Sequence, residues 1–474
     1  MNVAPKSMKH TIKFGTDGWR AIIADTYTVE NVSRVAEATA LWGKSLTENP
    51  VMVIGFDCRF GGRLFMETTA RVLAEHGVKV LVNEHFVSTP MVSLATQKTG
   101  SIAGIVITAS HNPPSYNGFK IKASYGGPAS PSEIDKIENL IPENISVQPA
   151  AYEYYKTTGM IEVIDAEGMY EDQVNAQFDM KTIQDPRLNF AYDAMFGAGQ
   201  DVMRHLMPDA TFLHCDHNPG FEGQAPEPIH KNLREFSEMI EMAGDIDSGL
   251  ATDGDADRIG LYNKEGKFID SHHIILILIN YLHQFKGMNG KVVNSFSCTS
   301  RIKKMCDHFG LPQETTRIGF KYICDIIVAE DVLIGGEESG GIAIKGHIPE
   351  RDGIWIGLVI WEYMAKTGKS LDDLINDVYA ITGPFALDRD DLHVEEAKKQ
   401  EIIQHCVNRQ YARFGTFHVQ NVEDLDGFKF HLGDERWVMI RPSGTEPVLR
   451  IYAEAENAEM VRKILDETRN TLFA

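Results

Sequence analysis

Asp253, Asp255 and Asp257 alternate at spacing two in "ATDGDADRIG", with Gly254 and Ala256 leaving room between them. Three carboxylates this close repel one another unless a cation sits among them. All-oxygen ligation suits a hard ion, Mg²⁺ or Ca²⁺. An EF-hand loop would need Gly at its sixth place and Glu at its twelfth. Counted from Asp253, those places hold Arg258 and Lys264, so that reading fails. Three protein carboxylates leave coordination positions open, which favours a catalytic metal over a structural one. The bland alternative is a solvated acidic turn, and the small-residue strand before the trio argues against it.

A second candidate lies in "VITASHNPPSYNGFKIK", Val106 to Lys122. A short β-branched run ends there, and Ser110 follows on a loop that Asn112-Pro113-Pro114 keeps from becoming helix. Ser110 is a candidate nucleophile or phosphoryl carrier, although it lacks the G-x-S-x-G elbow of a hydrolase. His111 is its neighbour. In an extended segment neighbours point opposite ways, so His111 is expected to brace the loop as readily as to serve as a base. A third candidate, "GGEESGG" from Gly335 to Gly341, sets acids beside a serine between flexible glycines, which suits sugar hydroxyls. A fourth, "RPSGTEPVLR", offers guanidinium, hydroxyl and backbone N–H donors to a phosphate. "WGKS" and "TGKS" are not Walker A motifs, because Ala38 and Tyr363 stand where the first glycine belongs.

Each loop needs an element to hold it. "VMVIGFDCR", "LNFAYDAMFGAG" and "KVVNSFSCTS" read as strands, each followed by a helical stretch and a further strand or loop. Three α/β units of similar plan follow from that pattern. The C-terminal stretch differs: a strand, a charged helix, short antiparallel strands and a closing amphipathic helix make a smaller α+β unit. Expected domains are 1–155, 156–264, 265–384 and 385–474. The 474-residue length agrees with several domains at roughly 150 residues each. Net charge is −21, which argues against nucleic acid or an anionic membrane as the main partner. Six scattered cysteines form no C-x-x-C pair and no disulfide framework. With no apolar stretch long enough for a signal peptide or a membrane span, a cytoplasmic location is expected.

Taken together, the loops resemble the α-D-phosphohexomutase family of phosphoglucomutases, phosphomannomutases and phosphoglucosamine mutases. "FGTDGWR", "TASHNPPSYNGFK", "DGDADR", "GEESGG" and "RPSGTEP" occur in family order across nearly the whole chain. The resemblance implies an α/β protein with four domains around a central cleft, three of them similar mixed α/β domains and the last a smaller α+β domain. It implies phosphorylation of Ser110 and Mg²⁺ held by that phosphoserine with Asp253, Asp255 and Asp257. A hexose 1,6-bisphosphate would be both intermediate and activator. Lys120 would be the general acid or base, supported by Arg20 and Arg258, with His111 beside the serine. The stationary phosphate would rest on Arg441, Ser443, Gly444, Thr445 and Arg450. Glu337 and Ser339 would hold the sugar, and "RIGFKYI" adds Gly319 and Lys321. Gly341 stands where some mannose and glucosamine enzymes have His, so the resemblance points to glucose 1-phosphate and glucose 6-phosphate as the interconverted pair. The alternatives are a phosphomannomutase or dual-specificity enzyme, a phosphoglucosamine mutase, or a sugar-phosphate binding protein without turnover. A monomer or homodimer is expected.

Overall fold

The computed structural model describes residues 12–15, 17–442 and 448–474. The chain divides into two compact units. One runs through Ser271 and also takes in Cys324–Glu330 and Ser339–Asp372. The other comprises His272–Ile323, Asp331–Glu338 and Asp373–Ala474.

The first unit holds two mixed sheets built alike. In the first, β1 (Trp19–Ile22), β2 (Val51–Phe56), β3 (Lys79–Val82), β4 (Ala103–Ile107), β5 (Tyr116–Ala123) and β6 (Ile161–Val163) order as β1-β5-β4-β2-β3-β6. The β2–β3, β2–β4 and β3–β6 pairs are parallel, whereas β4–β5 and β1–β5 are antiparallel. The parallel strands are near-continuous apolar runs because helices cover them. Helices Val29–Leu46, Gly62–Glu75 and Thr89–Lys98 supply that cover. Thr28 and Ser88 cap two of them, their hydroxyls accepting from Asn31 N–H and Met91 N–H. Ile54, Ile105, Ile107 and Phe119 lie in the resulting core, each contributing roughly 1.5–3 kcal/mol by burial.

The second sheet orders β7 (Phe190–Asp193), β8 (Thr211–Leu213), β9 (Ser248–Thr252), β10 (Ile259–Asn263) and β11 (Phe268–Ile269) as β11-β10-β9-β7-β8. Here β7 pairs in parallel with β8 and β9, and β9–β10 is an antiparallel hairpin. The serine loop thus joins β4 to β5, and the aspartate loop joins β9 to β10. Both leave the carboxyl end of a strand that belongs to the parallel part of its sheet, where ligand sites of open α/β sheets form. Helix Gly353–Thr367 is apolar on every side and packs on β9 and β10. Asp352 caps it, accepting from Trp355 N–H at 2.9 Å. Among the described residues, no helix is long and apolar enough to cross a membrane.

In the second unit β12 (Lys291–Ser295) pairs in parallel with β13 (Gln313–Thr316) and β14 (Val332–Gly336). The segment after β14 carries Glu337, and β15 (Ile342–Ile344) follows in the first unit. The C-terminal sheet takes β16 (Ala386–His393); the small hairpin β17 (Arg413–Phe414) and β18 (Phe417–His418) stands apart from it. Strands β19 (Asn421–Glu423), β20 (Phe428–Gly433), β21 (Arg436–Pro442) and β22 (Val448–Ala455) complete the order β16-β22-β21-β20-β19. The closing helix Ala458–Leu472 buries Val461, Ile464 and Leu465 on this sheet.

Two of the sequence boundaries meet secondary structure. Residue 155 falls inside helix Tyr152–Thr157, and β6 beyond it still completes the first sheet. Residue 264 falls in the turn between β10 and β11. Strands of two or three residues, "FI" and "IEV", are too short to show a period.

Candidate active site

The serine and aspartate loops meet within the first unit. Ser110 is buried and takes a left-handed backbone, φ 51°. Its N–H donates to Thr108 Oγ1 (2.8 Å), and its Oγ donates to Asp253 Oδ2 (2.6 Å). The left-handed turn also corrects the expectation for His111. The segment is not extended there, and His111 Nδ1 lies 3.3 Å from Ser110 Oγ. Burial, then the charges of Arg258 and Arg20, push the His111 pKa well below the usual imidazole range.

Asp253, Asp255 and Asp257 are fully buried, and each offers a carboxylate oxygen within 4.8 Å of the others. Asp253 Oδ1 accepts from the N–H groups of Asp257 and Arg258 at 2.9 and 3.1 Å. Burial, then the neighbouring carboxylates of Asp255 and Asp257, raise the Asp253 pKa well above the ordinary range. Asp255 Oδ2 accepts from Thr89 Oγ1 (2.5 Å) and Lys120 Nζ (2.7 Å). Asp257 Oδ2 takes Lys120 Nζ at 3.1 Å and Arg351 Nη2 at 2.8 Å. Protein cations therefore occupy the Oδ2 atoms, whereas Asp255 Oδ1 and Asp257 Oδ1 are buried with no hydrogen-bond partner. Two orphaned carboxylate oxygens in a buried site are costly unless a cation or another donor takes them. The donor set fits a hard divalent ion. Glu167, Glu171 and His205 also cluster, but on a more exposed surface where His205 Nδ1 already pairs with Glu171 at 2.7 Å.

Lys120 is completely buried and touches three carboxylates, with Asp17 Oδ2 at 2.9 Å as the third. Burial alone would lower its pKa, but Asp17, Asp255 and Asp257 outweigh it and hold the ammonium above its ordinary value. Asp17 is the hub of a wider network. It takes Arg351 Nη2 at 2.6 Å and stands 3.7 Å from Lys122 and 3.8 Å from Arg20. Lys122, also buried, pairs with Glu350 at 2.6 Å. Arg20 Nη1 donates to Asn112 Oδ1 on the serine loop (2.7 Å). Arg258 reaches Glu227 at 3.8 Å and forms a backbone bridge to Gly341, two residues past Ser339.

The remaining candidates divide between the two units. Ser339 is half-buried in the first. In the second, Glu337 Oε1 accepts from Gly319 N–H at 2.9 Å, which joins two of the sugar-loop candidates. Glu338 accepts from Ser297 Oγ (2.5 Å), and the Lys321 ammonium sits 5.3 Å from the Tyr322 ring centre. Arg441 and Arg450 face each other across the β21–β22 ladder. Like charges directly opposite are destabilising, and acids flank the pair: Asp426 on Arg441 at 3.1 Å and Asp391 near Arg450 at 3.9 Å. Ser443, Gly444 and Thr445 lie outside the described residues.

Sequence reasoning missed Asp17, Thr89, Lys122, Glu350 and Arg351. "FGTDGWR" and "PERDG" contained three of them, but nothing local shows that residues 17 and 351 touch.

The two loops are packed without slack. A Cβ on Gly254 would lie 2.5 Å from the Ser110 carbonyl oxygen and 3.1 Å from Pro226 Cγ. Gly254→Ala must therefore move the Ser110 backbone. The expected result is a loss of roughly 100-fold in turnover, the usual effect of a ~1 Å misplacement, with about 1–3 kcal/mol of stability lost to overpacking. Steady-state kinetics and thermal unfolding on one preparation check both.

Comparison with known proteins places this arrangement. Models described as phosphoglucomutase/phosphomannomutase alpha/beta/alpha domains I, II and III match residues 11–148, 168–266 and 270–381. The C-terminal domain model of the same group matches 393–471. A phosphoglucomutase/phosphomannomutase of Thermococcus kodakarensis is 27% identical over 96% of each chain. A phosphoglucosamine mutase of Methanocaldococcus jannaschii is 28% identical over 88% of this chain and 90% of its own. A crystal structure from Thermus thermophilus, assigned as a phosphomannomutase, superposes with a TM-score of 0.87 at 32% identity, covering 98% of this chain and 100% of that one. Four domain models in order, and a like-sized neighbour matched along its whole length, make this chain a member of the α-D-phosphohexomutase family, with three α/β domains and a smaller C-terminal one.

Proposed function

We propose that this isomerase interconverts the 1- and 6-phosphates of a hexose through a phosphoryl group carried on Ser110. The observation that carries the reading is the hydrogen bond from Ser110 Oγ to Asp253, beside two buried carboxylate oxygens that have no hydrogen-bond partner and fit a cation. The phosphoserine's Oγ–P bond breaks as a P–O bond forms to the sugar hydroxyl, giving a hexose 1,6-bisphosphate. Its other phosphoryl group then returns to Ser110. The hydroxyl proton must finally reside on Oγ. His111 Nδ1, neutral and 3.3 Å away, is the group placed to exchange it. Lys120, held protonated, serves as a fixed cation and hydrogen-bond donor rather than a base. Asp253, Asp255 and Asp257 would hold Mg²⁺, which when bound neutralises charge on the transferring phosphoryl group. Arg20 and Arg258 add positive field. Glu337, Ser339, Gly319 and Lys321 would grip the sugar, and Arg441 with Arg450 the stationary phosphate.

For the sugar we propose dual specificity for glucose and mannose phosphates. Gly341 pointed to glucose first, but the relatives carry phosphomannomutase and phosphoglucosamine mutase names. Glucose and mannose differ only in the C2 epimer, which a loop gripping O3 and O4 separates weakly. Glucosamine phosphate is the second reading, favoured by the Methanocaldococcus relative. The domain divisions 1–155, 156–264, 265–384 and 385–474 and a cytoplasmic site of action belong to the same proposal. The six buried, unpaired cysteines agree with a reducing compartment.

A coupled assay with Mg²⁺ and a trace of glucose 1,6-bisphosphate tests it on glucose, mannose and glucosamine 1-phosphates in parallel. Comparable turnover of the first two supports the reading. Turnover of glucosamine 1-phosphate alone replaces it with the second, and turnover of none removes the mutase activity. A metal prediction is independent of the sugar. Mg²⁺ at about 100 times its dissociation constant should add roughly 2.7 kcal/mol of stability, read as a higher unfolding midpoint that EDTA reverses. An unchanged midpoint would take the metal out of the site.

A further inference from the structure

Arg59 closes the stretch "VMVIGFDCR" but belongs to none of the four candidate loops. It follows β2 and is 3% exposed. Its backbone N–H donates to Asp57 Oδ1 at 3.0 Å, and its Nε pairs with Asp57 Oδ2 at 3.4 Å. The rest of the guanidinium is spent on the serine loop. Nη2 donates to the carbonyls of Ser110 (2.5 Å) and Asn112 (2.6 Å). Nη1 donates to those of Pro113 (2.9 Å) and Tyr116 (3.1 Å). One side chain thus fixes four carbonyls of a seven-residue span. A second tether comes from the same place, because Thr108 Oγ1 bonds Asp57 Oδ2 (2.5 Å) and receives the Ser110 N–H (2.8 Å). A left-handed non-glycine residue persists only where its surroundings over-determine it, and these bonds supply that determination for Ser110.

The guanidinium has a lid. The Phe221 ring covers it with 5.1 Å from Cζ to the ring centre. Phe221 belongs to the segment after β8, part of the second sheet's connections, and it and Glu222 are themselves left-handed, with φ 46° and 53°. A residue anchored by one sheet therefore braces the clamp that sets the loop of the other.

We propose that Arg59 is the positioning residue that holds Ser110 in its phosphoryl-accepting geometry, and that Phe221 holds Arg59 in place. This rests on the reading that Ser110 carries the phosphoryl group. Only a planar fork reaches four carbonyls; a lysine ammonium at the same place presents its donors from one point. The phosphate and sugar contacts proposed above lie on other residues, so the defect belongs in transfer rather than in substrate affinity.

The test uses full-length wild type, Arg59→Lys, Phe221→Leu and Phe221→Tyr. Each is mixed with Mg²⁺ and glucose 1,6-bisphosphate, and the rate of Ser110 phosphorylation is followed by intact mass and normalised to the fraction of chains that become phosphorylated. Arg59→Lys should phosphorylate about 100-fold more slowly per competent molecule, with KM for the sugar phosphate held within about threefold. Phe221→Leu should slow it about three- to tenfold, and Phe221→Tyr, which restores the ring face, should recover it. In Arg59→Ala, added guanidinium chloride at low concentration should restore rate where methylammonium does not. If Arg59→Lys accepts phosphate at the wild-type rate, or loses only competent chains without slowing the rest, the inference is overturned. A wild type that acquires no phosphoryl group overturns the reading of Ser110 itself, and that failure is visible before any variant is compared.

Discussion

Ser110→Ala should turn over hexose phosphate at least about 10⁴-fold more slowly than the wild type, and should take up no phosphoryl group from hexose bisphosphate. Removing an acceptor that forms a covalent intermediate costs more than removing any group that assists it. The substitution deletes one oxygen, which donates to Asp253 Oδ2 at 2.6 Å and lies 3.3 Å from His111 Nδ1. Stability should therefore change little, and loss of turnover cannot be assigned to misfolding. Measurement of phosphate content by intact mass, alongside the coupled assay, separates this outcome from its rival. A Ser110→Ala protein that keeps a hundredth of wild-type turnover would mean that some other group carries the phosphoryl.

The second large effect is expected at Lys120, where activity and stability should fall together. Lys120→Met removes the ammonium that three carboxylates, two of them fully buried, share at 2.7, 2.9 and 3.1 Å. Breaking a buried pair from one side leaves uncompensated charge and costs about 3–5 kcal/mol. Loss of a positioned hydrogen-bond donor and cation costs a further ~10²- to 10³-fold in turnover. The two effects can be told apart with metal. Asp255 and Asp257 would be left with more negative charge, so Mg²⁺ should raise the unfolding midpoint of Lys120→Met more than it raises that of the wild type. An equal rise in both would show that the lysine and the cation do not share those carboxylates.

What the sequence disclosed about this site, and what it hid, follows the range of the contacts. The aspartate trio could be read because all three carboxylates fall within five residues, and Ser110 because its loop is bounded by a strand and two prolines. The mixed α/β plan could be read because β2, β4 and β7 are short, largely apolar runs. The approach of His111 to the Ser110 hydroxyl was hidden because one positive φ reverses the alternation that an extended chain would impose. The ion network around Asp17 and Lys122 was out of reach for a different reason. Asp17 and Arg351 meet across 334 residues of chain, and Lys122 and Glu350 across 228. No periodicity encodes such a pair. The short edge strands β6 and β11 were hidden in the same way, since pairing rather than composition makes them strands.

The return of Ser339–Asp372 to the first unit sets a schedule for biogenesis. Helix Gly353–Thr367, with Ile354 through Met364 buried, completes the face of β9 and β10, and Arg351 completes the ion network around Asp17. A nascent chain that has just emerged as far as β11 holds two sheets with an apolar face uncovered and a lysine cluster short of one acid. At about 5–20 residues per second, a ribosome needs roughly 20–75 s to reach residue 372. For the later part of that interval the unfinished unit displays the kind of surface that chaperones bind. Chains arrested before residue 353 should therefore be recovered with chaperone or in aggregates, and chains released after residue 372 should not.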